Sequence, residues 1–184
     1  MIQFISTLRD RNDVLFYFGT LCFVLALIFI MLTKLTTLQV NGVNAWYKPF
    51  KFAMSLGIYS WTMGWFCSYL PNFNVGFFNW TVVAMWSFEI LYIAFQASKG
   101  QLSHYNVSSP VYSLLYGLMA IAASVVTVYT AYIGWLFFSS DFPSLPDYYF
   151  WSIRWGIFLF VIFSFQGFAM GARLSHSVGA VNDN

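Results

Sequence analysis

The sequence predicts an all-α fold, a polytopic integral membrane helical bundle of about five transmembrane helices, and three observations carry that expectation. Hydrophobic residues make up 60% of the chain and charged residues only 8%, where soluble domains carry about 25% charged residues. Mean hydropathy is +0.69. Apolar runs close to the roughly 20 residues that cross about 30 Å of hydrocarbon recur along the whole length. Each crossing has to be helical, because unpaired backbone groups are costly in lipid and the alternating strands of a closed barrel are absent from the pattern.

The opening MIQFISTLRDRND places its charges after a few apolar residues. The run that follows is too long for a signal-peptide core and lacks a small-residue cleavage site, so a retained first helix is expected. It covers about 14–32 and is closed by Thr33 and Lys34. In NAWYKPFKF, Pro49 suits the first turn of a second helix, where the missing N–H costs nothing; that helix covers about 52–70. PNFNVG is a tight turn, which places the third helix, about 77–97, antiparallel beside the second. After SKGQLSHYNVSSP, Ser109 as N-cap and Pro110 at the first helical position begin a fourth helix over 111–138. Its length predicts tilt. DFPSLPD leads to the fifth, about 148–171, and a polar tail, so that 1–184 reads as a single transmembrane domain. Cys22 and Cys67 fall at depths about 8 Å apart by helical rise, which argues against a disulfide.

Counting crossings places Lys34, Lys48, Lys51, Lys99 and Arg173 on one side. Arg9, Arg11 and a shallow Arg154 share the other with Asp10, Asp13, Asp141 and Asp147. The positive-inside rule makes the first side cytoplasmic, with the N-terminus outside and the C-terminus inside, in a multi-pass protein of the cell (inner) membrane. Trp65, Tyr69, Trp80, Trp135, Tyr148, Tyr149, Trp151 and Trp155 gather toward the outer ends as an aromatic belt, answered by Trp46 and Tyr47 on the inner side. A net charge of +2 from scattered residues gives no basic patch, which excludes nucleic acid as an expected partner.

Small residues recur at helical spacing: Ala53, Gly57, Ser60 and Gly64 in the second helix, and Gly117, Ala120, Ser124, Thr127, Ala131 and Gly134 in the fourth. Ser164, Gly167 and Gly171 continue the theme in the fifth. Such stripes let backbones approach in lipid, so they predict packing within the bundle or the seam of a homo-oligomer or membrane-complex partner.

Polar residues inside apolar segments are the candidate ligand-binding groups. Glu89 lies about 12 Å from the inner end of its helix, where an unpaired carboxylate is expensive and needs a partner, a proton or water. Gln96 shares its face, and Lys99 and His104 follow toward the inner surface. Gln166, at a similar depth in the fifth helix, is followed by Arg173 and His176, giving two similar ladders. Arg154, about 10 Å away along the axis, reaches Glu89 only with a tilt, and Lys51 is another partner for that carboxylate. A proton carrier, ion ligand or substrate contact is one reading of Glu89, and an interhelical hydrogen bond is the other.

Both histidines occur as Leu-Ser-His just past a helix end. They read either as a metal pair or two axial haem ligands, or as helix ends where polar side chains bond the last carbonyls. Zinc calls for more ligands than are visible, and haem usually takes histidines within the apolar span. The triplets Asn79-Trp80-Thr81 and Asn106-Val107-Ser108 match a glycosylation pattern, but one begins in a span and the other falls on the cytoplasmic side. Phosphate loops, nucleophile elbows and paired-cysteine motifs are missing from the sequence, which disfavours a classical ATPase or hydrolase.

The segments NAWYKPFKFAMS, EILYIAFQASKGQLSHYN and GFAMGARLSHSVG resemble those of an uncharacterised family of bacterial multi-pass membrane proteins. The resemblance covers most of the chain and carries no assigned activity. Family members often continue past the second Ser-His into further helices, and helices of that kind, where present, could supply a partner for Glu89 or the histidines. The leading functional expectation is a site for a small polar or anionic ligand, or a proton, serving transport or sensing. The alternatives are a redox protein that holds haem or a quinone, and a non-catalytic subunit or assembly factor of a membrane complex.

Overall fold

Asn12 divides the N-terminal region into two helices in the computed structural model, which describes residues 2–172. Its φ of −157° leaves the helical region, and its side-chain oxygen accepts from the Leu15 N–H at 3.1 Å, capping α2 (Asp13–Leu35). Before it runs α1 (Ile2–Arg11), where the sequence predicted only a short charged tail ahead of the first crossing. Ten residues are too few to cross a bilayer. Instead α1 lies against α2 and α3, with Leu8 fully buried and the Phe4 ring stacked 5.1 Å from Trp65.

At its other end α2 meets a hairpin, β1 (Gln39–Val40) paired antiparallel with β2 (Val43–Asn44). Asn41 and Gly42 supply the two positive φ angles, 51° and 77°, of the tight two-residue turn. Asn44 then donates to the carbonyls of Thr36 at 2.8 Å and Thr33 at 3.2 Å, satisfying the frayed end of α2. The remaining helices are α3 (Tyr47–Cys67), α4 (Val75–Ser98), α5 (Pro110–Ser139) and α6 (Asp147–Ala172). Pro49 sits in the first turn of α3. Asn74 caps α4, and Ser109 caps α5 by accepting from Tyr112 N–H at 3.3 Å, with Pro110 in the opening turn.

Helices α2, α4, α5 and α6 are each long and apolar enough to cross a membrane. The fifth expected crossing, α3, has 21 residues and hence the length, but it is less apolar than the other four. Its position explains why. It packs most extensively against α2 and also contacts α4, so much of its surface meets protein and tolerates small and polar residues. Ala53, Gly57, Ser60 and Gly64, the small stripe expected to face a neighbour, are all buried. A Cβ on Gly57 would lie 2.7 Å from the Phe23 ring, and one on Gly19 would strike Trp61. Trp61 itself donates to the Phe16 carbonyl at 3.1 Å, locking α3 onto α2.

Polar pairs fix the bundle at the ends where helices α4 and α6 begin. Arg11 lies over the rings of Trp65 and Tyr69, and Trp65 donates to the Tyr149 hydroxyl at 2.6 Å. Part of the expected aromatic belt thus binds a cation and ties α1, α3 and α6 together, whereas Trp80, Trp135, Tyr148, Trp151 and Trp155 remain exposed. Arg154 does not approach Glu89. Its guanidinium donates to the carbonyls of Phe137 at 2.9 Å, Phe138 at 3.3 Å and Ser140 at 3.4 Å and lies over Phe150, so it closes the C-terminal end of α5. Cys22 and Cys67 are buried free thiols.

Candidate functional site: a cavity around Glu89

The site begins with the way α4 stops. Gly100, at φ 65°, turns the chain left-handed, its N–H bonds Ala97 O at 3.0 Å, and Gln101 N–H bonds Gln96 O at 3.0 Å. This is a Schellman closure, and it satisfies the last carbonyls with backbone groups. His104 is therefore not the cap that Leu-Ser-His predicted. The chain instead folds back under the bundle, held by Gln96 donating to the Leu102 carbonyl at 3.2 Å and Asn106 donating to the same carbonyl at 3.0 Å. Tyr105 takes a positive φ of 59°, costly for a bulky residue, in this tight return.

The return seats the His104 ring 5.4 Å from Phe52 and 6.1 Å from Tyr116, with Nδ1 3.2 Å from the Ser103 hydroxyl. Burial, and then the nearby positive charge of Lys48, lower its pKa from an ordinary 6.5 to about 3. The imidazole is neutral at physiological pH.

Above His104 opens a cavity of about 910 Å³ between α3, α4, α5 and α6. Glu89 faces into it, is 3% exposed, and makes no hydrogen bond or ion pair among the described residues. Lys48 is the charged group it feels, without direct pairing. Lys51 lines the cavity and also a smaller one of about 350 Å³ beneath the hairpin, and the two share Phe52, His104 and Tyr105. The walls are largely apolar or aromatic, from Leu56, Tyr59, Trp86, Met119, Phe160 and Phe168, with hydroxyls from Ser55, Ser124, Thr127 and Ser164.

Residue size explains the space. Toward its C-terminal end α5 meets α6 closely, since a Cβ on Gly134 would lie 2.8 Å from Ile157. Toward the hairpin end the facing residues are small, Ala120, Ala123 and Ser124 against Ser164 and Gly167, and they line the cavity. Gly117 and Gly167 have open space where a Cβ would stand. The small stripe of α5 thus packs against Ile157 at Gly134 and borders the void at Ala120 and Ser124, while Ser164 and Gly167 of α6 border the void too.

Of the seven expected ligand-binding residues, Glu89 and His104 line this cavity. Gln96 shares the buried face of Glu89, as seven residues of helix require, but it lies beneath the floor, with its amide nitrogen on the Tyr92 hydroxyl at 3.0 Å and on Leu102 O. Its amide oxygen is buried without a hydrogen-bond partner among the described residues. Lys99 is exposed, its ammonium 4.0 Å from the Phe95 ring centre, because ten residues carry it about 80° off the Glu89 face. Gln166 is exposed as well, since two residues turn it about 200° from Ser164. Arg173 and His176 lie outside the described residues. Tyr59, Trp86 and Tyr116 line the cavity although the sequence assigned them no role, and Thr127, expected only in a packing stripe, lines it too. Trp86, three residues before Glu89, was within reach of helical spacing; Tyr59 and Tyr116 required knowledge of which helices neighbour α4.

Among the described residues, no three of His, Cys, Asp or Glu converge as metal ligands. Haem bound through the two histidines would need His176, which the described residues do not include. No family pattern, curated protein or solved structure matches this chain.

Proposed function

We propose that this chain is a multi-pass membrane protein that takes an amphipathic small molecule into the cavity between α3, α4, α5 and α6, for transport or sensing, with Glu89 as its polar contact. One observation carries the reading: a carboxyl group 3% exposed, free of hydrogen bonds and ion pairs among the described residues, faces a cavity of about 910 Å³. An unsatisfied buried acid is expensive and is ordinarily retained for function. A void of this size falls within the roughly 300–1,000 Å³ of small-molecule sites, whose walls are mostly apolar with a few placed polar groups. The walls favour an amphipathic molecule over the small anion expected from the sequence, because the deep polar group is itself an acid.

In this proposal the hairpin end, with Lys34, Lys48, Lys51 and Lys99, faces the cytoplasm of a bacterial inner membrane. The test is saturable binding of the neutral amphipathic dye Nile red to the protein in lipid nanodiscs, against empty nanodiscs. Ala120→Trp, at an exposed cavity-wall position, is expected to abolish it. Equal binding by parent and variant, or no saturable binding at all, would remove the proposal.

A further inference from the structure

Resting on the cavity reading above, we infer that Glu89 exchanges a bound proton for a lipophilic cation, so that the ligand class is a hydrophobic amine or a bulky quaternary cation.

The argument starts from charge. A carboxyl group sequestered from water needs either its proton or a counter-cation, and Glu89 has no ion-pair partner among the described residues. Among the described residues, the other titratable groups facing the cavity are Tyr59 and Lys51 on α3, His104 and Tyr105 on the loop, and Tyr116 on α5. The α6 lining, Phe160, Ser164, Gly167 and Phe168, is not ionisable. Lys51 is exposed at the rim, Lys48 acts on Glu89 without pairing to it, and His104 is neutral. Among the described residues the cavity therefore holds one acid and no cation paired to it.

The walls then select what kind of cation. A bare metal ion or a proton leaves about 910 Å³ of largely apolar space unfilled, whereas a hydrophobic cation gains burial from it. Aromatic faces stand beside the acid: the Tyr59 ring lies edge-on to Trp86 at 5.8 Å and 5.3 Å from Phe160, and all three line the cavity. Such faces attract a poorly hydrated cation. The small residues Ala120, Ser124, Ser164 and Gly167 leave room for it between α5 and α6.

The exchange balances simply. The O–H bond of the Glu89 carboxyl breaks, the proton passes to solvent, and the carboxylate pairs with the incoming cation; no covalent bond to the ligand forms and no electron moves. One proton leaves for each cation bound.

Tetraphenylphosphonium and tetraphenylborate, alike in shape and opposite in charge, provide the test. Equilibrium dialysis of the detergent-purified chain is expected to give saturable phosphonium binding, weakened at least about ten-fold in Glu89→Gln, as loss of a buried charge pair demands. In weakly buffered solution the parent should release a proton on binding and Glu89→Gln should not. Lys48→Met should keep the binding; its loss there would make Lys48 the necessary counter-group and overturn the inference. Equal phosphonium affinity in Glu89→Gln, or binding without proton release, would also overturn it. Tetraphenylborate binding that Ala120→Trp abolishes would refute the cation class yet leave the cavity reading standing. Failure of both ions in a protein that binds Nile red refutes the exchange alone, and failure of the dye too removes both.

Discussion

The side-chain amides of Asn12 and Asn79 bond each other twice, Asn12 donating at 3.0 Å and Asn79 at 2.8 Å, in a buried pair that joins the start of α2 to the first turns of α4. The same Asn12 oxygen caps α2 through Leu15 N–H. Asn12→Ala therefore removes a cap and strands the Asn79 amide, with an expected loss of about 2–4 kcal/mol. Asn12→Ser, which keeps a capping oxygen and gives up the amide pair, should fall between variant and parent. Thermal unfolding in detergent, followed by circular dichroism, ranks the three, and an Asn12→Ala variant as stable as the parent would contradict the role.

Two glycines with the same sequence appearance should respond oppositely to enlargement. Gly57→Leu has no space, since even a Cβ would crowd Phe23, and is expected to cost about 3 kcal/mol or to prevent folding. Gly117→Leu meets open space, and as a surface-type change it should alter stability by no more than about 0.5 kcal/mol. Comparable losses at both positions would mean that Gly117 faces a packed neighbour, such as a second copy or a partner subunit.

These contrasts indicate what sequence could and could not reveal. Apolar runs bounded by Pro49, Asn74 and Ser109 signalled the long helices, because burial in lipid and helix capping are local in sequence. The Asn41-Gly42 turn and the Gly100 closure are local in sequence too, since each rests on positive φ angles that Asn and Gly adopt readily. The depth of Glu89 was legible from rise per residue. Its surroundings were not: whether Gln166 faces the cavity or turns away depends on the rotation of α6 about its own axis, and two amphipathically weak helices do not encode that rotation in hydrophobicity. Nor does a stripe of small residues say whether it meets a neighbour or borders a void. Gly134 and Ala120 sit in one stripe of α5 and do each.

His104 links burial to pH. Its pKa is lowered in the folded chain, to about 3 from 6.5, so above pH 6.5 neither state binds the proton and stability is unaffected. As pH falls below 6.5 the unfolded chain gains a proton that the folded chain refuses, and stability declines until about pH 3. Between pH 6.5 and 4.5 the parent should lose more melting temperature than His104→Gln. Identical slopes would mean that the ring is hydrated and able to protonate in place.

Glu89→Gln separates function from structural support. An acid that bonds a neighbouring helix stabilises the bundle, and its removal destabilises it. An acid kept without hydrogen bonds for a ligand's sake does the reverse. Because Glu89 makes no hydrogen bond or ion pair among the described residues, the uncharged amide is expected to leave unliganded stability unchanged or raise it by about 1 kcal/mol. Phosphonium-induced stabilisation, which grows with the logarithm of ligand concentration over its dissociation constant, should at the same time disappear. Melting curves of parent and variant at graded phosphonium concentrations measure both effects together. A variant that melts well below the parent without ligand would make Glu89 a structural hydrogen-bonding residue and remove it from the site.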